Sequence, residues 1–304
     1  DFLFAISSLN GEKEALNKLI HTTDFKSYTH HSNEWNHLRY FTDMWCQKDS
    51  ILNKKIHGLW LEFDIKDEKA NLLEPCVFFH MSPIYNNSDY NWIVHDAIPY
   101  LTGKHLPNHL NESLKNAIVH LPDEAYVMDI GFMLSRAEEG MRLLINKIRP
   151  KEIVQYLKKI GLSKIDMELE SLIKELQKQV SRIVLHIAIG KKLVPKIGIE
   201  CSFAPDRYSQ ENGWENFFEF LKEKQLCNSI KQKALTNYIG SDLDDESSSF
   251  DFDTFIPSVK NNTKNPTVFA ITRYISHIKI IYEPGKPLIA KAYPGVRVFN
   301  KEEQ

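Results

Sequence analysis

The sequence lacks any apolar run approaching the ~20 residues that a membrane-spanning helix needs. Its first residues also lack the charged, apolar and small-residue succession of a secretion signal. The chain begins at Asp1 rather than Met, so a preceding segment is expected. Cysteine is sparse: Cys46, Cys76, Cys201 and Cys227 are widely spaced and form no CxxC pair. That argues against a disulfide framework or a zinc site and for reduced thiols in a cytoplasmic protein. Charge of one sign is missing too. The 38 Lys and Arg nearly cancel the 40 Asp and Glu, which speaks against a general nucleic-acid binder. The chain contains no GxGxxG, GxxxxGK[ST], GxSxG or HExxH, so dinucleotide, P-loop, hydrolase-elbow and zincin chemistries have no support.

What the chain has is length and apolar content. With 304 residues, 42% of them hydrophobic, it can build a substantial core, and one domain over 1–304 is expected. A bias to Lys, Asn and Ile suggests an AT-rich, bacterial genome.

The residues at 182–203, RIVLHIAIGKKLVPKIGIECSF, organise the rest. Ile183, Leu185, Ile187 and Ile189 alternate with His186, Ala188 and Gly190. After a turn at Gly190-Lys191-Lys192, Ile197, Ile199, Cys201 and Phe203 alternate with Lys196, Gly198, Glu200 and Ser202. Side chains alternate across a strand, so this is a hairpin with one apolar face and one face of small and ionisable residues. Small residues between charges fit a close approach by something else.

Three more strand pairs share the pattern. Residues 58–65 pair with Cys76–Met81, Tyr126–Ser135 with Met141–Ile148, and Phe269–Tyr282 with Pro287–Phe299 through the turn Glu283-Pro284-Gly285-Lys286. Pro294-Gly295 is expected to break the last strand. Helical spacing covers Glu12–Ile20, Glu34–Gln47, segments of 93–119, Pro150–Ile160, Ser163–Val180, Trp214–Gln225 and Ser229–Ile239. Residues 241–265 start with SDLDDESSSFDFD and read as a flexible acidic loop.

Helices and strand pairs therefore alternate about four times. Each helix has one apolar stripe to cover, which places the helices outside an antiparallel sheet. The expected fold is α+β: an antiparallel β-barrel or strongly curled sheet built from αββα units. Its inner face would carry Trp60, Glu62, Asp64, Asp129, Arg142, His186, Lys196, Glu200, His277, Lys279, Lys291 and Tyr293. Unpaired charges are costly in a dry core, so a solvated, ligand-sized lumen is the economical expectation.

This order of elements and this set of residues resemble the ABBA prenyltransferases, antiparallel barrels ringed by helices. The resemblance implies transfer of an allylic isoprenoid from its diphosphate to an aromatic or peptide acceptor. By position, Arg142, Lys196, Lys279 and Lys291 are similar to the diphosphate-binding cations, and Trp60 and Tyr293 to the aromatic shield of the allylic cation. Glu62 or Asp64 corresponds to the acid that orients the acceptor. No cofactor is required on this reading, although Mg²⁺ is compatible with it. Solvent-facing lysines on an open sheet would give the same pattern.

Glu62 and Asp64 also share one strand face, and with Lys66 they spell E-x-D-x-K. This resembles the E-x-E-x-K run of the triphosphate tunnel enzymes and implies, as a second reading, an Mg²⁺-dependent phosphohydrolase using Glu62, Asp64 and Glu200. A third reading is a barrel that binds a small molecule or peptide without chemistry. His186 is a candidate base and His277 a candidate contact residue, since imidazoles titrate near neutrality; hydrogen-bonded structural histidines would look the same. Asp242, Asp244, Asp245 and Glu246 are spaced wrongly for an aspartate-rich metal motif and read as a solvated loop.

Overall fold

A computed structural model describes residues 2–9, 11–63, 74–135, 140–162, 165, 167–203, 213–243 and 269–300. The protein is α+β and consists of two compact units. One comprises Asp1–Glu170 with Val184–Ile197, the other Ser171–Ile183 with Gly198–Gln304.

The first unit begins with β1 (Phe2–Ser7), followed by α1 (Glu12–Ile20), α2 (Thr23–Thr29), α3 (Asn33–Cys46) and α4 (Ile51–Lys55). β2 (Ile56–Phe63) and β3 (Pro75–Ile84) follow. A π-helical turn (Ile93–Ala97) runs into α5 (Ile98–Thr102) and is followed by α6 (Asn108–Val119). β4 (Tyr126–Phe132), β5 (Met141–Asn146), α7 (Pro150–Lys159) and most of β6 (Arg182–Ile189) complete it. The strands pair antiparallel in chain order, β1 through β6.

Alternation decides which face of this ladder is dry. Leu59 and Leu61 of β2, Val77 and Phe79 of β3, Leu143 and Ile145 of β5, and Leu185 and Ile187 of β6 are all buried. Each such side chain contributes about 1.5–3 kcal/mol when fully removed from water. The α3 stripe of Leu38, Phe41 and Trp45 is fully buried. Phe41 packs 6.1 Å from the Phe79 ring, and the Trp45 indole donates to the Ile56 carbonyl at 3.0 Å. Sequence patterning missed α2, whose residues are too polar to show a stripe. It is capped by the Thr22 hydroxyl, which accepts from the Phe25 N–H.

The second unit holds most of α8 (Met167–Gln179), then β7 (Ile197–Ser202), α9 (Gly213–Glu223), α10 (Ser229–Tyr238), β8 (Gly240–Leu243), β9 (Phe269–Tyr282) and β10 (Ile289–Asn300). Its strand order is β7-β9-β10, with β8 also on β9. Trp214, Phe217, Phe218 and Leu221 of α9 are buried, as are Ile278, Ile280 and Tyr282 of β9. Gly285, at φ 73°, supplies the left-handed residue of the turn between β9 and β10.

Four expectations need correction. Among the described residues β1 pairs only with β2, and β10 only with β9, so neither ladder closes on itself and the strands form no barrel. The polar side chains expected on a solvated wall are not all wet: Asp129 and His186 in the first unit, and Glu200 and Ser202 in the second, are buried. Ser241–Leu243 is not loop but part of β8, because Gly240–Leu243 pairs with Ala270–Arg273 and Asp242 forms an ion pair with Arg273; residues 244–265 lie outside the described residues. Finally, Pro294 does not end β10. The ladder absorbs it as a register shift after Tyr293, where Pro294 faces Ile275.

Candidate functional site

The densest grouping of expected site residues lies in the second unit. Its cause is the period of two. His277 and Lys279 are two residues apart on β9 and project to one face, opposite the buried Ile278 and Ile280. The register of β10 places Tyr293 across from His277 and Lys291 across from Lys279. From β7, Glu200 reaches the same two side chains. Its Oε1 lies 3.2 Å from Lys279 Nζ and 3.9 Å from His277 Nε2.

The Glu200 side chain is only 11% exposed, which makes its ionic partner a requirement rather than a decoration. The His277 and Tyr293 rings stack at 4.3 Å with 19° between planes, and Ser276 Oγ lies 3.2 Å from His277 Nδ1. Lys291 is exposed. Beneath this face, burial and secondarily the Glu200 charge push the Cys201 thiol well above its ordinary range, leaving it an inert core group. The arrangement offers a buried proton acceptor, an imidazole, a two-ring stack and two lysines facing each other across a strand pair.

The first unit holds the remaining described candidates, and all of them except Lys196 lie along one strand face. The register forms a lateral row of Trp60, Phe78, Gly131, Arg142 and Ala188, so two strands separate Trp60 from Arg142, about 14 Å at ordinary strand spacing. Phe78 lies over Gly131, where a Cβ would run into its ring. Glu62 is half-buried between Leu3 and Cys76. His186 is buried, faces Leu144, and meets the Phe78 ring edge-on at 6.3 Å.

Lys196 is exposed and sits just before β7 instead of on a strand face. The connection is longer than the three-residue turn expected, because Ile189 bridges back to Leu193. Asp64 and Lys66 lie outside the described residues. Among the described residues no three His, Cys, Asp or Glu side chains are grouped to hold a metal ion. No helix among them is long and apolar enough to cross a membrane.

One pairing escaped sequence reading. His80 of β3 places Nδ1 2.8 Å from Asp129 Oδ1 of β4. Forty-nine residues separate the two, so no local pattern joins them; only the β3–β4 register does.

Fold and site together define an α+β protein with antiparallel strands and an acid–lysine–histidine–tyrosine cluster on a sheet face. Compared with known proteins, the chain matches no family model, no curated protein and no solved structure.

Proposed function

We infer that the second unit binds a diphosphate-bearing substrate on the face of β7, β9 and β10, and that the chain is a transferase of prenyl type. One observation carries this reading: Lys279 and Lys291 face each other in the register, next to the stacked His277 and Tyr293. Like charges directly opposite on a ladder destabilise it. Glu200 already offsets the Lys279 charge at 3.2 Å, and an anion between the two lysines would add to that offset, because charge-assisted contacts to phosphate oxygens are among the stronger hydrogen bonds.

The chemistry follows from the same geometry. The two ammonium groups hold the diphosphate, and as the allylic C–O bond breaks, the diphosphate leaves with the electron pair. The His277–Tyr293 stack presents a π face to the allylic cation. An aromatic or peptide acceptor attacks the cation, and its proton passes to Glu200, directly or through His277. Mg²⁺ would assist by screening the diphosphate but has no step of its own here.

The test is thermal stabilisation by a non-hydrolysable allylic thiodiphosphate. At a hundredfold excess over Kd a ligand stabilises by about 2.7 kcal/mol. Lys279→Ala and Lys291→Ala should each weaken binding by about tenfold or more, since a hydrogen bond to a charged group is worth about 1.5–3 kcal/mol. Glu200→Gln should bind and fail to transfer. Absence of stabilisation in the unaltered protein, or full stabilisation in both lysine variants, overturns the reading.

A further inference from the structure

The ladder of the first unit ends at β1, which among the described residues pairs only with β2. Three contacts show which backbone groups β1 turns outward. The Ile6 carbonyl lies against Gly58 of β2, and the Ser8 N–H donates to the His57 carbonyl at 2.9 Å, so the even-numbered residues bond inward. The Ser7 N–H instead donates to Glu12 Oε2 at 2.7 Å, away from β2. In an antiparallel ladder the N–H and C=O of one residue point to the same side, and the side alternates along the strand. Leu3 and Ala5 therefore present their donors and acceptors outward, and Glu12 closes the edge at Ser7.

Sheet edges are ordinarily guarded by charge, proline or a bulge. β10 has all three: among the described residues it pairs only with β9, it carries exposed Lys291, Pro294 and Arg297, and its register shifts after Tyr293. β1 reads FLFAIS, with no charge, no proline and an unbroken register against β2. Phe2, Leu3, Phe4 and Ala5 are exposed.

This edge is complementary to itself. Let two copies of β1 run antiparallel about a twofold axis, with Leu3 of each opposite Ala5 of the other. That register uses every outward group between Phe2 and Ile6 and leaves the Ser7 N–H to Glu12. Sliding it to set Ala5 against Ala5 would call on the Ser7 N–H, which is already engaged. The chosen register places Phe4 against Phe4 at the axis and Phe2 against Ile6 on the same face. The Phe2 ring meets the Phe4 ring edge-on at 5.4 Å and stacks on Phe63 at 5.2 Å, so the axis joins two formed aromatic clusters. An uncharged segment meets its own copy without repulsion, whereas the β10 edge would set Lys291 and Arg297 beside an apolar strand. We propose that the outer edge of β1 is a self-recognition surface, on which a second copy of the chain docks its own β1 antiparallel with Phe4 at the twofold axis.

Sedimentation equilibrium of the full chain tests this. A one-strand contact is small, so reversible dimerisation in the micromolar range is expected. Ala5→Pro removes an outward N–H from both copies at once and leaves the inward bonds to β2 in place. It should weaken dimerisation about tenfold or more. Phe4→Cys should give a disulfide-linked dimer on mild oxidation, because opposite residues of a non-hydrogen-bonded pair have Cα atoms about 4.5 Å apart, within disulfide reach. Leu3→Cys should not, since its counterpart is displaced by two residues along the partner strand. The unaltered protein, with its partly exposed Cys46 and Cys227, supplies the background. Phe4→Cys keeps the test sound even if Ala5→Pro disturbs β1. Monomers at every concentration overturn the proposal and leave the edge to a strand of another protein. Undiminished dimerisation of Ala5→Pro, or equal cross-linking of Phe4→Cys and Leu3→Cys, overturns it too.

Discussion

At the scale of single residues, Gly131 has the sharpest steric requirement of the sheet face. It sits between Phe78 and Arg142 in the lateral row, and the Phe78 ring occupies the space a Cβ would need. Glycine in a strand interior is unfavourable in itself and persists where something approaches closely. Gly131→Ala should therefore destabilise the protein by about 1–3 kcal/mol, the usual cost of overpacking, measured by urea unfolding. Phe78→Leu combined with Gly131→Ala should cost less than the two changes added, since the leucine vacates the space. Additive costs would show that Phe78 is not what the alanine meets.

At the scale of elements, the start of α3 and the start of β3 share one hydroxyl. Ser32 caps α3 by accepting from the Trp35 N–H at 3.2 Å. Its Oγ also lies 3.1 Å from Glu34 Oε2 and 3.4 Å from Glu74 Oε1. One hydroxyl hydrogen serves one carboxylate at a time. Burial, and after it the Glu34 charge, hold the Glu74 carboxyl above its ordinary 4.5. A raised carboxyl stabilises the fold while protonated; that contribution is complete below 4.5 and is lost as pH rises through the raised value. Glu74→Gln should thus raise the melting temperature at neutral pH and change it little in acid. Equal effects at both pH values would contradict the assignment.

The elements also show what a sequence exposes and what it conceals. Period-two alternation located the four strand pairs, and the Gly285 turn between β9 and β10 joins the strands that set Lys279 against Lys291. The His80–Asp129 contact was concealed because β3 and β4 are joined through helices and their register shifts beyond His80. The strand at Gly240–Leu243 was hidden by Asp242 and the acidic sequence that follows it; the Asp242 charge is answered by Arg273 from β9. Lys196 was misplaced because alternation fixes a face, not the residue at which a strand begins.

At the scale of the whole molecule, the open strand order has a consequence that a barrel would have avoided. β1 pairs only with β2 among the described residues, leaving an edge. On it Phe2, Leu3 and Phe4 are 37%, 42% and 57% exposed, an apolar sequence at the place where chains add to one another. Phe4 is committed to its own fold, meeting Phe63 edge-on at 6.1 Å. Leu3 points to the other face, and its register partner is Glu62. Leu3→Lys would put a cation opposite that carboxylate, a cross-strand pair worth about 0.2–1 kcal/mol, while placing charge on the edge. The variant should show less concentration-dependent light scattering than the unaltered protein, with equal or slightly greater thermal stability. Phe4→Lys should lower stability, because it forfeits the Phe63 contact. Unchanged scattering for Leu3→Lys would mean that association proceeds through another surface.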